Sequence, residues 1–213
     1  MKIGIIGSGT VGQALAMGFL KHGYEVMIGS RNATKLTEFA RKSAGKIQTG
    51  DFAATAAFGE ILVNATKGSA SKEALRIAGA DHLAGKPVID AANPIADVAP
   101  EKGVLKFFTN LDQSLMEELQ SEFPAANFVK AFSCIGSAGM VNPDFGGVKP
   151  SMFIAGNDAA AKSQVKTILD QFGFEVEDMG GVEAARAIEP LCMLWCIPGF
   201  KDNRWNHAFK LLK

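Results

Sequence analysis

The chain has 213 residues, and 47% of them are hydrophobic, which is enough apolar material for a buried core. The 22 Lys and Arg residues balance 22 Asp and Glu residues, so no excess charge favours nucleic acid or an anionic membrane as a partner. Cys134, Cys192 and Cys196 form no Cys-x-x-Cys pair, and the N-terminal residues read as a strand, not a signal-type apolar region. We expect one cytoplasmic domain over residues 1–213, with no membrane segment and no metal.

The N-terminal segment predicts a turn that binds a dinucleotide. A short apolar run leads into Gly-x-Gly-x-x-Gly, and the residues that follow carry apolar side chains at helical spacing. In the order strand, turn, helix, these glycines permit a tight turn, a close approach to a pyrophosphate and close packing of helix on strand. The free N–H groups of the helix then face the phosphates. The predicted contacts are Gly7, Ser8, Gly9, Thr10, Val11 and Gly12.

The end of the second predicted strand, residues 24–29, indicates which nicotinamide nucleotide is bound. A site for NAD commonly has Asp or Glu here to hold the ribose 2′-hydroxyl. This chain has Ser30, Arg31 and Asn32 instead, with Lys35 one helical turn further on. A hydroxyl and two cations suit a 2′-phosphate, because the guanidinium fork of Arg matches phosphate oxygens. We therefore predict NADP(H) as the cofactor.

Two further apolar strands are predicted at residues 60–66 and 86–94, with helices between the strands. Their ends place Ala65 and Thr66 near the middle of the cofactor, and Asn93 and Pro94 at the same edge of the sheet. Asn93 either bonds the nicotinamide ribose or only shapes its own turn. This alternation predicts an α/β fold of Rossmann type, with a doubly wound, mostly parallel sheet, helices on both faces, and extra C-terminal strands and helices.

The second half of the chain continues this pattern. It predicts a helix at 111–123, a sixth strand at 126–132, two more strands at 151–156 and 174–180 around a helix at 159–172, and a final helix. We divide the domain into a dinucleotide-binding core, 1–132, and an extension, 133–213, for the acceptor pocket and dimerisation. Lys130 is expected to reach solvent from its strand. His22, His82 and His207 are expected at helix ends or on the surface.

Several motifs carry a resemblance to a known family. They are Gly-Ser-Gly-Thr-Val-Gly, Ile-Gly-Ser-Arg-Asn, Leu-Ala-Gly-Lys-Pro-Val-Ile-Asp-Ala-Ala-Asn-Pro, Phe-Val-Lys-Ala-Phe and Ile-Ala-Gly-Asn-Asp. In this order they resemble the NADP oxidoreductases that use the 5-deazaflavin coenzyme F420 (F-420), and also the cytoplasmic reductase domain of the STEAP metalloreductases. The resemblance implies a Rossmann domain that holds NADPH and passes hydride to a flavin or deazaflavin ring stacked on the nicotinamide.

The resemblance also implies roles for residues of the second half. Ala131, Phe132 and Ser133 would lie beside the nicotinamide, and Ser133, Ile135 and Trp195 would contact the acceptor. The acceptor pocket would lie between residues 133–140 and 193–200. Its occupant would be F420, FAD, FMN or another diffusible small molecule. No catalytic side chain is expected, because hydride transfer is the chemistry of the cofactors and the protein aligns them.

We therefore predict an NADPH-dependent oxidoreductase, with the physiological acceptor and the direction of hydride transfer left open. Two alternatives are a redox sensor that binds NADPH without turnover, and a small imine or keto-acid reductase. Such reductases usually carry a much larger helical domain, for which this chain has no room. The apolar residues 191–200, with Trp205 and Phe209, exceed what one helix buries against a small sheet, so we also expect a homodimer.

Overall fold

The computed structural model describes the backbone of residues 1–213 and every side chain except that of Ala33. Its strands are β1 (Lys2–Ile6), β2 (Glu25–Gly29), β3 (Ile47–Gly50), β4 (Ile61–Asn64), β5 (Pro87–Asp90), β6 (Asn127–Lys130), β7 (Ser151–Ile154) and β8 (Glu175–Asp178). Its helices are α1 (Thr10–Lys21), α2 (Thr37–Lys42), α3 (Phe52–Phe58), α4 (Gly68–Ala78), α5 (Ala80–Leu83), α6 (Leu115–Glu122), α7 (Ala159–Gln171), α8 (Ala185–Ile188) and α9 (Leu191–Asp202).

Six strands form one parallel sheet in the order β3-β2-β1-β4-β5-β6. This order reverses direction between β1 and β4, which is the switch point where doubly wound sheets bind ligands. The predicted Rossmann fold is therefore confirmed. β7 and β8 form a separate parallel pair, which is joined to the main sheet where the Lys130 N–H donates to the Ala155 carbonyl at 2.9 Å. The carboxyl ends of β1, β2, β4, β5 and β6 thus meet at one edge.

The sheet is covered on both faces, because alternate residues of each central strand enter different apolar clusters. Ile5 and Val63 pack with α1, α2 and α7, whereas Ile6 and Leu62 pack with α3, α4, α5 and α6. A strand that is buried on both faces has no side that faces solvent, so polar residues do not alternate with apolar ones. This explains the near-continuous apolar runs in the sequence. Within the described part of the chain, every helix is too short or too polar to cross a bilayer.

Two predicted helices differ from those observed. α6 begins at Leu115 and not at residue 111, because Ser114 and Glu117 form a capping box at its start. The Glu117 N–H donates to Ser114 Oγ at 3.1 Å, and the Ser114 N–H donates to Glu117 Oε2 at 2.8 Å. The helix predicted at 33–43 is a 3₁₀ turn, Ala33–Leu36, followed by α2. Asn32 begins that turn by accepting the Thr34 N–H at 3.1 Å.

Candidate functional site

The glycine turn between β1 and α1 has the geometry that its sequence predicts. Gly7 has a φ of +124°, a conformation that residues with a Cβ rarely adopt. A Cβ at Gly12 would overlap the Gly7 carbonyl, so α1 can approach β1 only with glycine there. A Cβ at Gly9 would meet nothing within 4 Å, which shows that the turn opens onto free space. α1 has no side-chain cap and no acidic residue in its first turn, so its N–H groups are available to an anion.

A cavity of about 210 Å³ lies beside this turn at the ends of β1 and β2, and we call it the β1–β2 cavity. Its lining residues are Gly7, Ser8, Gly9, Ser30, Arg31, Asn32, Lys35, Phe52, Ala65, Thr66, Lys67, Ala70 and Ala74. Ser30 is buried, and its Oγ accepts hydrogen bonds from Ser8 Oγ at 3.1 Å and from the Asn32 N–H at 3.2 Å. The bond between Ser8 and Ser30 joins the loop after β1 to the loop after β2. The side chains of Arg31 and Lys35 are exposed at the cavity.

A second cavity, of about 320 Å³, continues across the ends of β4 and β5, and we call it the β4–β5 cavity. Its lining residues are Gly9, Thr10, Val11, Ala65, Thr66, Lys67, Gly68, Ala91, Ala92, Asn93 and Ile95. The two cavities share Gly9, Ala65, Thr66 and Lys67, so they form one groove along the carboxyl edge of the sheet. Among the described lining residues the charged ones are all cations, which favours a ligand with phosphate groups.

Two buried polar atoms near the end of this groove have no hydrogen-bond partner. They are Asn93 Oδ1 and Ser133 Oγ, and the Asn93 amide holds the two residues together by donating to the Ser133 carbonyl at 3.3 Å. Ser133 is 4% exposed. Buried polar groups are nearly always paired, so these two atoms are exceptions. Asn93 lines the β4–β5 cavity, whereas Ser133 lies outside the lining of the groove.

Four predicted cofactor residues lie outside the lining of the groove, namely Gly12, Pro94, Ala131 and Phe132. The buried Phe132 has a φ of +62°, and its ring packs in the core with Phe172 and Phe174, at centroid distances of 6.4 and 6.2 Å. Ala131 is buried, and Pro94 is buried as well. Contact of Pro94, Ala131 and Phe132 with the nicotinamide stays a prediction, and for Phe132 it would involve the main chain.

A buried ion cluster lies beneath the groove, and it corrects the prediction for Lys130. That side chain is fully buried, not solvent-exposed, and its Nζ lies 2.8 Å from both Asp90 Oδ2 and Glu189 Oε1. It also donates to the Ala92 carbonyl at 2.7 Å. Burial alone would lower the pKa of the ammonium group, but Asp90 and Glu189 outweigh it, so the pKa of Lys130 is raised and the group stays charged.

The ion cluster extends to the floor of the groove. Asp90 Oδ1 accepts from Asn64 Nδ2 at 2.9 Å, and Asn64 Oδ1 accepts from Thr66 Oγ1 at 2.7 Å. At the other end, Glu189 accepts the N–H groups of Leu115 and Met116 at 3.0 Å each, so it caps α6. A continuous chain of hydrogen bonds therefore connects Glu189, which lies between α8 and α9, with Thr66, which lines both cavities.

A third cavity, of about 610 Å³, lies between the turn after β6 and the C-terminal residues, and we call it the C-terminal cavity. Its lining residues are Ile135, Gly136, Ala138, Gly139, Asn142, Pro143, Asp144, Phe145, Trp195, Trp205, Asn206 and His207. Ile135 and Trp195, both predicted to contact the acceptor, are thus brought together. A Cβ on Gly136 would touch the Trp195 ring, so glycine is needed for this close approach. Ser133 lies beside Asn93 instead of lining this cavity.

The sequence did not indicate that residues 205–207 form a wall of the C-terminal cavity. His207 is half-buried and not at a helix end or on the surface as expected, because its ring stacks on Trp195 at a centroid distance of 4.9 Å. His207 Nε2 donates to the Trp195 carbonyl at 2.9 Å, and Trp195 Nε1 donates to the His207 carbonyl at 2.9 Å. His22 ends α1 and His82 is exposed in α5, as expected.

The three cysteines lie close to the C-terminal cavity. Cys134 and Cys192 are buried, and Cys196 is half-buried. Burial raises the pKa of Cys134 to about 12, so this thiol stays protonated and unreactive.

Comparison with known proteins agrees with this geometry. Residues 2–94 match the family model described as "NADP oxidoreductase coenzyme F420-dependent". A crystal structure from Arthrobacter sp. FB24, of a protein assigned as an F420-dependent NADP-reductase, is 35% identical, with a TM-score of 0.92 and complete coverage of both chains. The chain belongs to the family of F420-dependent NADP oxidoreductases. As a member of that family it is an NADP-dependent oxidoreductase, and the expected NADP(H) site and Rossmann fold agree with this membership.

More distant relatives share parts of this arrangement. The metalloreductase STEAP3 of Rattus norvegicus is 33% identical over 202 residues, which cover 92% of this chain and 38% of that protein. The chain therefore spans little more than a third of the length of this relative. An imine reductase from Myxococcus stipitatus, solved with NADP⁺, has a TM-score of 0.68 at 16% identity, over 91% of this chain and 60% of that one. At this low identity the likeness concerns the fold alone.

Proposed function

We propose that this F420-dependent NADP oxidoreductase family member works in the cytoplasm and exchanges hydride between NADP(H) and a flavin or 5-deazaflavin such as F420. The observation that carries the proposal is the continuous groove, with cations at the β2 end and the unpaired atoms of Asn93 and Ser133 at the other end. A dinucleotide fits this order of groups, with its 2′-phosphate at Arg31 and Lys35 and its nicotinamide beside Asn93.

NADPH supplies the hydride when it is bound, and the protein supplies alignment and a dry site. The N–H groups at the start of α1 would hold the pyrophosphate, and the Asn93 and Ser133 side chains would orient the nicotinamide riboside. The ion cluster around Lys130 fixes Ala92, on the floor of the groove, by its hydrogen bond to that carbonyl. A rigid floor restricts the nicotinamide to one position, which favours transfer to a ring placed against it.

We place the acceptor in the C-terminal cavity. Its walls carry planar rings, Trp195, Trp205 and His207, and apolar side chains such as Ile135, which suit a planar heteroaromatic ring. The Arthrobacter relative is named for F420 and the rat relative for the reduction of metals. The name of the Arthrobacter relative agrees with a flavin-like acceptor. The name of the rat relative suggests a second class of acceptor, a ferric chelate.

Turnover with several acceptors tests this proposal. NADPH oxidation is measured with F420, FAD, FMN and a ferric chelate in separate reactions, with NADPH binding measured by calorimetry in parallel. We expect turnover with at least one flavin-like acceptor. Binding of NADPH without turnover of any acceptor would instead support the sensor alternative, and reduction of a cyclic imine alone would support an imine reductase.

The substitution Ile135→Ala tests the position of the acceptor. Ile135 is 7% exposed and lines the C-terminal cavity, so the variant loses apolar contacts with the acceptor ring. The loss of one or two methylene contacts is expected to raise the acceptor KM about four- to fifteenfold, while the Kd for NADPH changes less than about threefold. Steady-state kinetics and calorimetry give the two values. The matched control, Ile77→Ala on the exposed side of α4, should change neither, and equal losses of both affinities would contradict the placement.

We also propose that the chain forms a homodimer through a groove beside α9, which we call the α9 groove. It has a volume of about 760 Å³, and its lining includes the exposed apolar side chains of Val104 and Leu111. The exposed Phe108 and Leu194 are chain neighbours of the lining residues Phe107 and Met193. The lining also includes both cations and carboxylates, namely Glu101, Lys102, Lys106, Arg186 and Glu189. Charges of both signs around an apolar centre can pair across a two-fold axis, so a second copy of this chain suits the groove.

The C-terminal residues after α9 lie against their own chain instead. The Ser151 N–H donates to the Phe209 carbonyl at 2.9 Å, and Trp205 packs on Phe200 at a centroid distance of 5.3 Å. For this reason we place the interface at the exposed side of α9 and residues 101–111, and not at Phe209.

Light scattering tests the homodimer. Leu194 is 55% exposed, so Leu194→Asp introduces a charge at the proposed interface without disturbing the fold. We expect a dimer of the wild type at micromolar concentration and a monomer of the variant. Ile77→Asp on α4 is the control and should remain dimeric. A monomeric wild type would refute the proposal.

A further inference from the structure

Lys67 occupies the junction of the two halves of the groove. It is the N-cap residue of α4, and it lines both the β1–β2 cavity and the β4–β5 cavity, as Gly9 does from the other wall. If a dinucleotide lies along the groove, its pyrophosphate passes this junction, because Gly9 begins α1 and the two ends of the groove suit the two nucleoside parts. Lys67 was not among the cofactor residues that the sequence predicted.

The ammonium group of Lys67 is paired with Asp97, which lies in the segment after β5 and outside the lining of both cavities. Asp97 follows Ile95, a lining residue of the β4–β5 cavity, and its carboxylate also accepts a hydrogen bond from Ser69 Oγ at 3.3 Å. The hydrogen bond from Lys67 lowers the pKa of Asp97, so the carboxylate is ionised at neutral pH. The ion pair thus joins the loop after β4 to the segment after β5, across the nicotinamide end of the groove.

This ion pair is easily exchanged for another. The side chains of Lys67 and Asp97 are 62% and 60% exposed, and an ion pair so exposed to water contributes little to stability. A pyrophosphate offers two negative charges and several acceptor oxygens to the same ammonium group. A lysine on its flexible stem can turn from one anion to the other at small cost.

We propose that Lys67 is a second phosphate-binding cation, which Asp97 holds in the free protein and releases when the dinucleotide binds. This inference rests on the proposed function, because it requires a dinucleotide in the groove. Asp97 then acts as an internal competitor of the pyrophosphate.

Calorimetric titration of NADPH and NADH into three variants tests this inference. Because both nucleotides carry the pyrophosphate, Lys67→Met is expected to raise both Kd values by a similar factor, about tenfold. Asp97→Asn removes the competitor and is expected to lower both Kd values about two- to fivefold. The effect of Asp97→Asn should vanish in the Lys67→Met background, since no cation is left to release. Lys72→Met is the matched control and should change neither value, because Lys72 lies on α4, outside the lining of both cavities.

The outcomes separate this inference from the proposed function. If Lys67→Met leaves both Kd values unchanged, or if Asp97→Asn weakens binding or does not change it, the inference is overturned. In that case the change in NADPH affinity on substituting Arg31 by Ala would still test the 2′-phosphate site, and with it the proposed function. If the wild type binds neither nucleotide, the proposed function fails first.

Discussion

Replacing Lys130 by Met is expected to lower the free energy of unfolding by about 3–5 kcal/mol, because the change leaves two buried carboxylates without their cation. Lys130 is fully buried and contacts Asp90 and Glu189, both of which are buried as well. Met has a similar length, so the main loss is the charge and its hydrogen bonds, not the packed volume. Urea unfolding followed by circular dichroism gives the difference.

The control for this prediction is Lys166→Met, which removes an exposed ion pair with Asp170 on α7. It is expected to cost less than about 1 kcal/mol. If uncompensated charge is the cause of the loss, adding Glu189→Gln to the Lys130→Met variant should recover part of the stability. If Lys130→Met unfolds with the same free energy as Lys166→Met, the prediction that Lys130 neutralises Asp90 and Glu189 is wrong.

The same cluster explains how the two halves of the chain are fixed to one another at the site. Glu189 lies just before α9, which carries Trp195 on the wall of the C-terminal cavity. Through Lys130 and Asp90 it is connected to the ends of β6 and β5, and through Asn64 to Thr66. A shift of α9 therefore has to break buried charge-assisted hydrogen bonds before it can move the wall of the C-terminal cavity relative to the groove.

The sequence predicts those parts of the fold whose determinants are local. The glycine turn, the apolar strands and the Ser30-Arg31-Asn32 end of β2 each follow from residues adjacent in the chain, and the structure places them at one sheet edge. The start of α6 was also readable, because the Ser114 and Glu117 capping box is a local signal.

The parts that were not predicted depend on contacts between distant residues. Lys130 resembles a strand residue that reaches solvent unless Asp90 and Glu189 are known to face it. The one available signal was a lysine and an aspartate in apolar runs of parallel strands, where an unpaired charge is costly. His207 belongs to a segment without regular structure, so no periodicity places its ring on Trp195.

The substitution Arg31→Ala is expected to raise the Kd for NADPH about 10- to 100-fold and to change that for NADH little. The exposed guanidinium lines the β1–β2 cavity, where Lys35 is the other cation near the end of β2. A hydrogen bond to a charged group contributes roughly 1.5–3 kcal/mol, and each 1.4 kcal/mol is a factor of ten. NADH offers Arg31 only a hydroxyl where NADPH offers a phosphate, so the loss falls on NADPH.

Isothermal titration of both nucleotides to the wild type and the variant measures this difference. Arg41→Ala, an exposed arginine at the end of α2 and outside the cavity lining, is the matched control and should leave both Kd values unchanged. Raising the salt concentration should weaken the NADPH complex more than the NADH complex, because the additional ion pair is partly exposed and therefore screened. Equal wild-type affinities for the two nucleotides would mean that the site does not recognise the 2′-phosphate. Parallel losses on substitution would mean that Arg31 does not contact it.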